Sequence, residues 1–315
     1  MSDLPSRVHI TEEGPREGFQ FEKGEIPTAR KIELIDALST TGIGQIQVVS
    51  FVHPKAVPQM ADAEAVVAGI APREGVEFIG LWLNVRGLER AMATGKLHLE
   101  GSIALTASET FLVRNQKRTF ADNLAQQREM AAAYKTAGIP ITRGSVMAAF
   151  GCNFEGRIPV ERVVSQVGDI LAVAEEQEER ITLLNLSDTM GWATPRGIRE
   201  VVGAVRERYP ELEMSLHLHD TRGMGIANAC AGLEMGVAHF DACVGGLGGC
   251  PFAGNRAAAG NVCTEDLVFL CRDLGIETGI DLDALIEVAA LAEDIVGHPL
   301  PGSVKSGGAL TSWYA

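Results

Sequence analysis

The sequence predicts a single (β/α)8 barrel of the α/β class with additional C-terminal helices. Three observations lead there. Eight short aliphatic or β-branched runs recur at roughly the length of a βα unit. Amphipathic stretches with apolar residues at i, i+3 and i+4 fall between them. No Pro/Ser-rich break interrupts the 315 residues, a length that suits one large barrel. An open doubly wound sheet is the alternative, but no GxGxxG turn follows the first run.

In chain order, the expected strands are VHITE (8–12), QIQVVSF (45–51), FIGLWLN (78–84), SIALTA (102–107), ITRGSVMA (141–148), ITLLNLSD (181–188), EMSLHLH (213–219) and HFDACVG (239–245). Helices are expected over 28–41, 120–137, 160–178, 197–209 and 225–235. Gly42, Gly138 and Gly236 stand where helix C-caps belong. Two further helices, 265–274 and 282–296, follow the eighth strand. Residues 1–275 are therefore expected to form the catalytic barrel, and 276–315 a helical extension packed on it.

Composition narrows the function. With 27 Lys+Arg against 41 Asp+Glu the net charge is −14 and the pI about 5.0, which argues against a nucleic-acid binder. Hydrophobic residues make up 46%, enough to bury a large core, and no apolar run reaches the length needed to span a bilayer. The opening segment MSDLPSRVHITEE carries neither an apolar core nor an Arg/Ser-rich presequence, so a cytoplasmic location is expected. Six cysteines without a CxxC pair read as reduced thiols.

Barrels of this kind place their chemistry at the C-terminal ends of the strands. Polar groups collect there: Glu12-Glu13, Ser50, Asn84, Ser108, Asp188, His217 and His219, and a glycine run after Val244. His217 and His219, two apart on one strand, face the same side and suit a divalent metal; two satisfied core histidines are the bland alternative. Gly14, Pro15 and Gly18 make a tight turn that aims Arg16 and Glu17 at the barrel mouth, unless these form only a solvated loop ion pair. The run Gly245-Gly246-Leu247-Gly248-Gly249 presents Cys250, either as a proton donor or as a small packed residue. No GK[ST] follows the run, which disfavours a nucleoside triphosphatase.

At these places together the chain resembles the 3-hydroxy-3-methylglutaryl-CoA lyase family, a metal-dependent lyase and Claisen-condensation barrel group. The matching stretches are GPREGFQFEK, SFVHPKAVPQM, LSDTMGWATP, HLHDTRGMGIAN, VGGLGGCPFAGN and AAGNVCTEDLV. The resemblance implies His217, His219 and Asn261 as ligands of Mg²⁺ or Mn²⁺. Arg16 matches the arginine that steadies an acyl-CoA enolate, Cys250 the cysteine that protonates it, and Asp188 an aspartate near metal and substrate. The family's R-D-G-x-Q motif has Glu17 in place of its ligand aspartate. Glu17 does not inherit that role by matching, but its carboxylate, one methylene longer, can reach the cation and joins the expected ligand set. Gln47 stands where the family has a glutamate, and the segment between Cys250 and Asn261 is two residues longer.

The implied reaction is retro-Claisen cleavage of 3-hydroxy-3-methylglutaryl-CoA, or a related 3-hydroxy-acyl-CoA acid, to a keto acid and acetyl-CoA, with no organic cofactor. An acyl-CoA small molecule is the expected partner, with no nucleic acid and no membrane, and a homodimer is expected because barrels of this kind pair. The alternatives are a condensing enzyme of the same barrel group and a catalytically silent barrel with a binding role.

Overall fold

The computed structural model describes residues 4–249 and 260–313. Strands β1 (His9–Glu12), β2 (Gln45–Ser50), β3 (Glu77–Leu81), β4 (Gly101–Thr106), β5 (Ile141–Met147), β6 (Leu183–Ser187), β7 (Glu213–His217) and β8 (His239–Ala242) alternate with helices. The helices are α1 (Thr28–Leu38), α2 (Ala63–Gly69), α3 (Val85–Thr94), α4 (Glu109–Gln116), α5 (Phe120–Ala137), α6 (Val160–Glu175), α7 (Pro195–Arg208), α8 (Gly225–Glu234), α9 (Thr264–Asp273), α10 (Leu282–Val296) and α11 (Val304–Gly307). Every strand is followed by a helix, which makes this a (β/α)8 fold with additional C-terminal helices.

The chain divides into two compact units. One runs from Ser6 to His98 and resumes at Phe240; its strands are ordered β3-β2-β1-β8. β1 pairs in parallel with β2 (Thr11 opposite Gln45), and β2 with β3, with a register shift between Gln47 and Val49. Helix α1 packs on α2 and α10, burying Leu34, Ile35 and Leu38, each contributing about 1.5–3 kcal/mol.

The other unit, Leu99–His239, orders its strands β7-β6-β5-β4, all parallel. Their aliphatic residues Ile103, Leu105, Val146, Leu184, Leu186 and Leu216 are buried, as are Val163, Val167 and Ile170 of α6 and Ile198, Val202 and Val205 of α7. The caps explain the helix boundaries. Thr119 and Asp122 form a reciprocal capping box at the start of α5, and Gly138 ends it in the left-handed region. Thr194 caps α7, with Pro195 at its first position.

The sequence expectations place every strand, and the differences lie at the ends. β3 stops at Leu81 rather than residue 84, because Asn84 accepts from the Gly87 amide at 2.9 Å and caps α3, a helix the periodicity did not single out. Ser108 plays the same part for α4. β8 ends at Ala242, three residues early; a 3₁₀ turn Val244–Gly246 follows, with Gly245 and Gly246 at positive φ where a strand cannot continue. Among the described residues Cys152, Cys230, Cys243, Cys263 and Cys271 are unpaired thiols, and no helix is long and apolar enough to cross a membrane.

Candidate active site

In the unit that contains β1, the chain after Ile10 carries two adjacent glutamates with different surroundings. Glu12 is fully buried and accepts from the Gly14 amide (2.7 Å), the Val244 amide (2.9 Å) and the Thr264 hydroxyl (2.6 Å). It thereby ties β1 to the turn after β8 and to the first residue of α9. Burial pushes its carboxyl up to about 8, against the pull of those three donors. Gly14 must be glycine for this arrangement, since a Cβ there would lie 2.6 Å from Glu12 Oε1.

Glu13 opens a single π-helical turn, Gly14–Gly18, that carries Arg16 and Glu17. The Arg16 guanidinium is nearly buried and fully engaged. It meets Glu13 at 2.9 Å and Glu17 at 2.5 Å, and its Nε donates to Gln47 Oε1 on β2. Burial alone would lower its pKa, but the charges of Glu13 and Glu17 outweigh that and raise it. Arg16 is thus a fixed cation. Asp241, at the end of β8, is also buried, with a carboxylate oxygen within 4.8 Å of one on Glu13. Burial, and then the neighbouring Glu12, Glu17 and Glu13, hold the Cys243 thiol well above its ordinary value, so it stays protonated. Asn261 is buried, and its Nδ2 donates to the Leu247 carbonyl at 3.3 Å, which commits the amide nitrogen.

The Leu99–His239 unit holds the other group. Asp188 follows β6, and its Oδ1 accepts from the Trp192 (2.6 Å) and Ala193 (2.9 Å) amides. Its Oδ2 is buried without a hydrogen-bond partner among the described residues. Burial raises this carboxyl to about 7, partly offset by the Ala193 and Trp192 amides, by His217 and by the His219 amide. The Asp188 carbonyl receives His219 Nδ1 at 2.8 Å. That bond selects the Nδ1–H tautomer and puts the basic lone pair on Nε2, the usual second-sphere device of a metal-binding histidine. β7 ends at His217, two residues short of His219. The two rings still lie side by side, with centroids 5.1 Å apart, and a ring nitrogen of each falls within 4.8 Å of the other.

Of the sequence-predicted site residues, the structure brings Asp188, His217 and His219 together in one unit, and gathers Arg16 and Glu17 on one turn in the other, where Asn261 is also buried. Cys250 and most of the longer segment before Asn261 lie outside the described residues. Asn84 and Ser108, polar strand-end residues in the sequence, serve as helix caps. In the sequence Glu12 and Glu13 stand out as polar strand-end residues, and the signal for their different parts is the doublet itself, set between a β-branched run and a GPR turn.

A family model described as HMGL-like matches residues 7–292. The chain belongs to the HMGL-like family. It is 40% identical to the mitochondrial hydroxymethylglutaryl-CoA lyase of Gallus gallus over 284 residues, 90% of this chain and 92% of that one. It is also similar to the crystal structure of a Bacillus subtilis HMG-CoA lyase, with a TM-score of 0.89, 35% identity and coverage of 96% of this chain and 98% of that one. A second similar structure is an Acinetobacter baumannii HMG-CoA lyase in complex with coenzyme A and 3-methylmalate, with a TM-score of 0.86, 38% identity and coverage of 96% and 95%. With these HMGL-like relatives, the chain is a carbon–carbon lyase. Its paired imidazoles, one with its tautomer fixed by a backbone carbonyl, have the donor chemistry of a divalent-cation site.

Proposed function

We propose that this protein cleaves 3-hydroxy-3-methylglutaryl-CoA, or a closely related 3-hydroxy-acyl-CoA acid, to a keto acid and acetyl-CoA. The observation that carries this reading is the group formed by Asp188, His217 and His219: a buried carboxyl raised to about 7, with one oxygen unbonded among the described residues, beside two imidazoles. The relatives named as HMG-CoA lyases supply the substrate class.

In this reading His217, His219, Asn261 and Glu17 hold a Mg²⁺ or Mn²⁺ ion. That donor set is two neutral imidazole nitrogens, an amide oxygen and a carboxylate. A divalent cation bound there supplies Lewis-acid polarisation of the substrate's hydroxyl and carboxylate oxygens. Asp188 Oδ2 takes the proton of the tertiary hydroxyl, a task matched to a carboxyl near 7. The hydroxyl oxygen's electron pair becomes the new carbonyl, and the C–C bonding pair passes to the thioester enolate. Arg16, already a fixed cation, donates to that enolate oxygen. Cys250 returns a proton to the enolate carbon, giving acetyl-CoA. Residues 1–275 form the catalytic barrel in this reading and 276–315 its helical extension. The protein acts as a homodimer in the cytoplasm, a compartment in keeping with its unpaired thiols.

A coupled assay for acetyl-CoA release, with Mg²⁺ or Mn²⁺ and with EDTA, tests the reading. Metal-dependent release that disappears in His217→Ala is expected. Stoichiometric Mn²⁺ binding without release would move the substrate to another branched hydroxy-acyl-CoA, and the absence of both release and binding would overturn the lyase reading.

A further inference from the structure

A guanidinium as buried as that of Arg16 needs a counter-charge that stays in place. Three groups hold it, and they are not equivalent. Gln47 accepts from Nε but brings no charge. Glu17 contacts Arg16 at 2.5 Å, yet it is also the carboxylate proposed to bind the divalent cation, so its charge is shared. Glu13 is the remaining carboxylate, with its side chain 7% exposed; its Oε2 lies 2.9 Å from the guanidinium as a charge pair without an aligned hydrogen bond.

The backbone of Glu13 also builds the turn that carries Arg16. Its carbonyl accepts the amides of Arg16 (3.0 Å), Glu17 (2.7 Å) and Gly18 (3.4 Å), and its own N–H donates to the Ala242 carbonyl at 2.8 Å. The counter-charge and the guanidinium are therefore fixed to the same few backbone bonds, anchored to β8.

We propose that Glu13 is the positioning residue of the lyase site: it holds the Arg16 guanidinium in place while Glu17 engages the cation, supplying from the end of β1 the charge that Gln47 lacks on β2. This rests on the proposed function. Glu13→Gln keeps the shape and an acceptor oxygen, and Glu17 leaves Arg16 one counter-charge, so the variant is expected to fold with nearly unchanged Tm. Its kcat is expected to fall roughly 10–100-fold, the size of effect seen when an outer-shell partner is lost, with KM little changed. Adding Gln47→Glu returns a charge to Arg16 from the other side and is expected to restore kcat.

A second readout does not depend on activity. The ¹⁵N Arg16 Nε–H signal, assigned by its loss in Arg16→Lys, is expected to exchange slowly in the wild type, quickly in E13Q, and slowly again in E13Q/Q47E. An E13Q protein with wild-type kcat and exchange would overturn the proposal, as would a double variant no better than the single one. If the wild type shows no lyase activity, the functional reading fails and the exchange series alone decides the placement of Arg16. If E13Q does not fold, the double variant against wild type decides in the same way.

Discussion

The turn after β1 and the loop after β6 both present buried carboxylates, and they use them in opposite ways. After β1, Glu12 has three donors on its two oxygens and Glu13 is spent on a guanidinium. After β6, Asp188 spends one oxygen on two amides, and the other accepts no hydrogen bond among the described residues. The first region is scaffolding that fixes a positive charge. The second keeps a carboxyl buried, where desolvation raises its proton affinity. Three donors tie Glu12 down, whereas Asp188 Oδ2 accepts no hydrogen bond among the described residues.

Asp188→Asn gives the sharpest test of that contrast. The amide oxygen still accepts from Trp192 and Ala193, so the fold survives, but the basic atom is gone; kcat is expected to fall about 10²–10⁴-fold, measured by acetyl-CoA release. Arg16→Lys comes next. A lysine keeps the charge but not the fork that joins Glu13, Glu17 and Gln47, and a loss of about 10²–10³-fold in kcat is expected. Wild-type stability would show that the loss is catalytic. An equal loss of stability and activity would make Arg16 scaffolding alone.

The pH dependence separates the two regions further. Asp188 must be ionised to accept a proton, so kcat/KM is expected to drop below about pH 7, the raised value of its carboxyl. A profile flat from pH 5.5 to 8 would remove it as the base. Glu12 has no such catalytic signature and should appear only in stability. Its folded value, about 8, lies above the ordinary 4.5, so its contribution is fully present below 4.5 and is lost as pH rises to about 8. The Tm of metal-free protein is expected to decline less steeply over that interval in Glu12→Gln than in wild type. Identical slopes would show that Glu12 is not protonated in the fold. Smallest is Gly18→Ala: its Cβ would lie 2.7 Å from Leu247 Cβ, costing about 1–3 kcal/mol by overpacking, read from urea unfolding.

Much of this was legible in the chain. The eight β-branched runs and the helical periodicity between them are local properties, and each strand lies where they place it. The HLH spacing placed two imidazoles side by side because residues two apart share a face of extended backbone, and this holds even though β7 ends at His217. Short helices were harder. α3 exists because Asn84 caps it, and a cap spends a polar strand-end residue that otherwise reads as a site residue.

The sequence by itself determined the alternation of strand and helix, the donor types at the strand ends and the family to which they belong. Only the tertiary structure decided what each acid does. Glu12 and Glu13 are chemically identical neighbours, and their difference comes from partners more than 200 residues away for one and three residues away for the other. The raised proton affinity of Asp188 likewise depends on its burial, with an Oδ2 that accepts no hydrogen bond among the described residues. Proton affinity and charge placement follow from desolvation and from distances between groups, and these exist only once the chain has folded.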